Sequence, residues 1–199
     1  MSSIKMWPAI FIVVGLGILS ACAMVAVQAE DDWQVYENEE FGYSLRFPAE
    51  CTFGPMPPGC KEKPPEERSA ECLCFLNAEN PNEVFLQAFL GEGELTLAGM
   101  AIAHYETPLY NPPSGTDLAE WMQESFAGRI PDVPQDVNAE IGGLPALRIT
   151  TPSSPMAVSM DEIYVLAAGR LFQIRLTDVD AELNRQFYDQ LLSTLSFGG

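Results

Sequence analysis

The sequence predicts an α+β fold, a mainly antiparallel sheet with helices packed on its faces. Three observations lead there. Short alternating segments follow one another without regular helix insertion, turn residues punctuate them, and two separated stretches carry apolar residues at helical spacing.

Each element has its own signature. Residues 33–36 alternate enough to start a strand, and residues 43–47 alternate clearly until Pro48 stops them. Residues 72–76 and 84–90 read as strands separated by Asn80, Pro81 and Asn82, with residues 99–105 a weaker candidate. Pro108, Asn111, Pro112, Pro113 and Gly115 then mark a long loop. Asp117 and Glu120 fit a capping box ahead of Leu118, Trp121, Met122 and Phe126, an apolar stripe that Gly128 and Pro131 end. Residues 137–141 and 144–150 flank Gly142 and Gly143 as one hairpin, and residues 160–167 and 170–177 flank Gly169 as a second. Asp178 or Asp180 caps a last helix in which Leu183, Phe187, Leu191 and Leu192 form one stripe. Each helix has one wet face, so each must cover a sheet face.

The chain has 199 residues, of which 1–29 read as a signal peptide or membrane anchor and 30–199 as a single domain. About 170 residues suit one core rather than two. Lys5 precedes a run from Met6 to Val27 without a charged residue, the pattern of an export segment. Leu19-Ser20-Ala21-Cys22 matches a bacterial lipobox, which would acylate Cys22; Val27-Gln28-Ala29 resembles an ordinary signal-peptidase site. Left uncut, the run of about 22 residues is long enough to cross a hydrocarbon core of roughly 30 Å. All three outcomes place the remainder outside the cytoplasm, anchored to the membrane or secreted.

With 10 basic against 28 acidic residues, the formal charge is −18. A polyanion needs Lys and Arg to displace its counterions, so nucleic acid is excluded as a partner, and anionic membrane surfaces are disfavoured. Cations or basic proteins would be attracted.

Setting Cys22 aside leaves Cys51, Cys60, Cys72 and Cys74 around a proline-rich loop. An even set in an oxidising compartment predicts two disulfides. A strained bridge between Cys72 and Cys74 is disfavoured, leaving crossed or nested pairing of Cys51 and Cys60 with the other two. The rival, a tetrathiolate zinc site, usually shows Cys-x-x-Cys knuckles that are missing here.

No catalytic, metal or cofactor constellation emerges. His104 is the only histidine, and no Gly-x-Ser-x-Gly elbow accompanies it. Asp161-Glu162 and Glu39-Glu40 are adjacent pairs; on a strand neighbours face opposite ways, which suits surface charge better than a glycosidase pair. Asp178, Asp180 and Glu182 alternate like part of a calcium loop but lack its glycine and distant glutamate. The loop from Tyr105 to Pro113, holding Tyr105 and Tyr110 on a stiff backbone, is the candidate partner-binding surface, since aromatics supply contact area at low entropic cost.

The two ends of the exported part resemble PsbP-like domains. The resemblance rests on Glu40-Phe41-Gly42-Tyr43-Ser44-Leu45-Arg46-Phe47-Pro48 at the start, and on Gly169-Arg170-Leu171-Phe172-Gln173-Ile174 and Leu192-Ser193-Thr194-Leu195-Ser196-Phe197 at the close. It implies an α/β/α sandwich with helices on both faces of the sheet, and an accessory or adaptor role without shared catalytic residues. The four-cysteine loop departs from that pattern. The expected function is an extracytoplasmic, lipid-anchored, non-enzymatic binding or accessory module with a protein partner; the alternative is an envelope hydrolase.

Overall fold

The computed structural model describes residues 33–60, 63, 67, 70–80, 82–90, 96–105, 115–126 and 133–198. Strand makes up 51% and helix 18%, so the protein is mainly β, built from two sheets. In the smaller sheet, β1 (Trp33–Asn38) and β2 (Tyr43–Pro48) form a hairpin, and β11 (Ser196–Phe197) pairs with β2. The larger sheet comprises β3 (Thr52–Phe53), β4 (Cys74–Asn80), β5 (Glu83–Leu90), β6 (Thr96–Tyr105), β7 (Ala139–Ile141), β8 (Leu144–Thr151), β9 (Met160–Ala167) and β10 (Arg170–Thr177). Its order is β3-β4-β5-β6-β10-β9-β8-β7, antiparallel throughout except for β3 beside β4.

The single turn α1 (Ala70–Leu73) precedes β4, α2 (Leu118–Ser125) lies between β6 and β7, and α3 (Glu182–Thr194) follows β10. Asp117 caps α2 as expected, its side chain accepting the Glu120 N–H at 3.0 Å. The aspartates do not cap α3: Ala181 holds the N-cap with no side-chain bond. Asn184 does the anchoring instead, donating from Nδ2 to the carbonyls of Leu97 and Asp178, both at 3.0 Å.

The sandwich of helix layers on both faces is not formed. One face of the large sheet, with Leu86, Met100, Ile102, Phe172, Ile174 and Val165, packs against α3 together with the β1–β2 hairpin, which contributes Tyr43, Leu45 and Phe47. A second sheet thus shares the place a helix layer was expected to fill. On the alternate residues of β8–β10, α2 packs its Leu118, Ala119 and Met122 against Leu147, Ile149, Tyr164 and Leu171. Eight residues of helix cover only that corner; Phe85 and Leu97 remain exposed. The physical reason is that alternation in a strand says which side chains are buried, not which sheet the strand joins.

Tight packing at two glycines locks the layers. A Cβ on Gly99 would lie 2.9 Å from Thr177 Oγ1, and the hydroxyl of Tyr188 on α3 accepts the Gly99 N–H at 2.8 Å while donating to the Thr177 carbonyl at 2.5 Å. Gly142, with φ at 59°, turns the β7–β8 hairpin where a Cβ would meet the Leu195 carbonyl at 2.9 Å.

The molecule has two distinct ends. Trp33 pairs with Pro48 and its ring lies 6.4 Å from that of Phe187, near the start of α3. The β1–β2 turn reaches the opposite end, where Phe41 stacks on His104 and Arg170 donates to the Glu40 carbonyl at 2.9 Å. Gly142, Gly169 and Tyr105 lie at that same far end.

Candidate functional site

The four cysteines form two nested disulfides. Cys51–Cys74, with Cα atoms 4.5 Å apart, joins the exit of β2 to the start of β4, and Cys60–Cys72, at 5.5 Å, ties the proline-rich loop to α1. Cys72 therefore belongs to a helical turn rather than to the strand expected from residue 72 onward. Cys22 and Tyr110 lie outside the described residues, as does the side chain of Tyr105, whose backbone ends β6 opposite Leu171.

His104 is buried, its ring centroid 3.4 Å from that of Phe41 and 6.5 Å from that of Phe172, so it packs in an aromatic cluster. The Asp161-Glu162 pair faces both ways: Asp161 points to the buried side, whereas Glu162 accepts from Gln173 Nε2 at 2.6 Å on the other. Burial also pushes up the phenols of Tyr43 and Tyr188, against the opposing hydrogen bonds from Asn38 and from Gly99 respectively. Both are neutral hydrogen-bonding groups at ordinary pH.

A polar groove of about 650 Å³ lies between α3 and the β7–β8 hairpin. Arg148 and Ile163 form its floor; Glu140 comes from β7 on one wall, and Asp189 and Ser193 from α3 on the other. Asn138 holds Arg148 in place by acting as an extra backbone unit, accepting the Arg148 N–H at 2.7 Å and donating to its carbonyl at 2.9 Å. Behind the floor, Arg148 Nε donates to Asp161 Oδ2 at 2.6 Å; the arginine side chain is 35% exposed and the aspartate 2%. Asp161 offsets the Arg148 charge, the only positive one lining the groove among the described residues, and the exposed Glu140 and Asp189 leave its walls negative. A smaller hollow of about 270 Å³ on the outer sheet face is paved by Phe85, Gly99 and Ala101 and crossed by the ion pair of Arg175 with Glu83.

None of the groove's charged residues was singled out from sequence as a binding group. Arg148 interrupts the Leu147, Ile149 alternation as an ordinary outward residue would, and the cue to its role is the opposite charge of Asp161, one strand away in β9. No family model matches the sequence, and a search of curated proteins returns no match. The functional reading therefore follows from the geometry.

Proposed function

We propose that this protein is an extracytoplasmic, non-enzymatic binding module, held at the membrane by its N-terminal segment and engaging a basic protein partner with the opposite end. The observation that carries this is the polarity of the molecule. The apolar segment joins at Trp33, whereas the negative groove and the start of the tyrosine loop after Tyr105 lie toward the far end. The two disulfides suit an oxidising compartment. Glu140 and Asp189, on a chain of net charge −18, favour a cationic segment, and Tyr105 and Tyr110 are the proposed aromatic anchors. An accessory role is also what the likeness to PsbP-like domains implies.

The test places a photo-crosslinking amino acid at positions 110 and 140 of the full chain in its native envelope. The same protein should be captured from both, and Asp189→Lys should weaken capture. Absence of a protein adduct, or adducts indifferent to charge reversal, overturns the partner reading. Anchoring is read from the intact mass of the membrane-extracted protein: an acylated Cys22 is expected, and an N-terminus at Glu30 removes the tether.

A further inference from the structure

Four large apolar side chains stand out of the surface at the end where Trp33 enters. Leu97 is 43% exposed, Leu183 40%, Val158 58% and Met156 96%. They belong to three segments that polar bonds gather into one knot. Asn184, next to Leu183, donates to the carbonyls of Leu97 and Asp178, and the N–H groups of Asp178 and Asp180 donate to Ser159, next to Val158, at 2.7 and 3.0 Å. Met156 tops a tight turn in which the Ser154 N–H meets the Ala157 carbonyl at 2.8 Å and the reverse bond closes at 3.2 Å. Scattered apolar residues on a surface are ordinary, but a cluster from three segments, one of them a braced turn holding a methionine outward, marks a contact surface.

The position of the N-terminal chain identifies what that surface meets. Trp33 packs on Phe187, one helical turn from Leu183. Only Gln28, Ala29, Glu30, Asp31 and Asp32 separate the apolar run from Trp33. At about 3.5 Å per residue that spacer spans roughly 20 Å at most, and a lipid on Cys22 would allow roughly 40 Å. The Trp33 end is thereby confined to the bilayer surface, where a small apolar contact is reinforced by the high effective concentration of a tethered group.

We infer that Leu97, Met156, Val158 and Leu183 form a lipid-contacting rim that seats this end of the domain in the outer surface of the bilayer. The inference rests on the tethering proposed above. Asp178, Asp180 and Glu182 flank the rim, so the lipid it suits is zwitterionic rather than anionic. Seated in this way, the far end points away from the membrane toward a partner.

The full chain is reconstituted in phosphatidylcholine vesicles carrying a diazirine phospholipid, irradiated, and its labelled peptides mapped. Label is expected on residues 1–29 or the acylated N-terminus and also on peptides containing Met156 and Leu183. The double variant Met156→Asp/Val158→Asp, whose side chains are outside the core, should stay on the vesicles and lose the label at residues 152–160. Vesicle-bound protein labelled only in its N-terminal segment overturns the rim and leaves the tether standing. Protein that does not associate with vesicles overturns both.

Discussion

Removing Arg148 should cost more stability than removing its partner Asp161, although the arginine is the more exposed of the two. Arg148→Met strips both donors from a carboxylate whose side chain is 2% exposed and whose Oδ1 has no hydrogen-bond partner. Uncompensated buried charge costs about 3–5 kcal/mol, and since water can follow the missing side chain through the groove the lower end applies, about 3 kcal/mol. Asp161→Ala leaves an arginine that is already 35% exposed and free to turn outward, so about 1–2 kcal/mol is expected. The double variant Arg148→Met/Asp161→Leu removes both charges and should recover most of the loss, because the desolvation cost disappears with them. Urea unfolding of the disulfide-intact full chain measures all three. If the aspartate variant is the least stable, or the double variant loses the sum of the singles, Asp161 is not a buried charge held by Arg148, and the assignment of the groove's residual negative charge falls with it.

Reduction of the disulfides should lower the melting temperature appreciably. The bridges span 23 and 12 residues, so each alone is worth about 3 kcal/mol, with the inner one adding less once the outer is closed; four alkylatable thiols in the unfolded, unreduced protein would refute both bridges. Tyr105→Ala and Tyr110→Ala should each weaken partner recovery by about 1–3 kcal/mol without a matching loss of stability; unchanged recovery from stable variants removes the loop as an interface. Burial raises the phenols of Tyr43 and Tyr188, so the neutral form is the folded one. Their contribution should be whole below about pH 10 and be lost as pH climbs toward the raised folded values, because the unfolded chain ionises first. An unfolding midpoint that does not fall above about pH 10, or that falls equally in Tyr188→Phe, contradicts this.

Local punctuation was legible in the sequence wherever one residue type had one physical use. Gly142-Gly143 and Gly169 adopt positive φ in the two hairpin turns that they mark, and Asp117 caps its helix. The central strand β6 is faint in the sequence because Ala98, Gly99, Ala101 and Ala103 lack the bulk that signals a strand. At Gly99 the missing side chain is what admits the Thr177 side chain, while the Gly99 N–H reaches the Tyr188 hydroxyl. Spacing alone puts Leu183 in the buried stripe of α3; it fits the period yet stands in the first turn and is 40% exposed.

The groove was illegible for a different reason. Glu140, Arg148, Asp161 and Asp189 come from four elements, and no spacing rule connects them. They meet because β8 pairs with β9 in a register that sets Arg148 opposite Ile163 and Thr150 opposite Asp161, while α3 returns alongside the hairpin. A one-residue slip of that pairing would send Arg148 to the α2 face, among Leu147, Ile149 and Tyr164, where an apolar cluster would replace Asp161 as its neighbour. The buried ion pair thus works against the slipped register, and the same pair that sets the charge of the groove helps to specify the sheet that builds it.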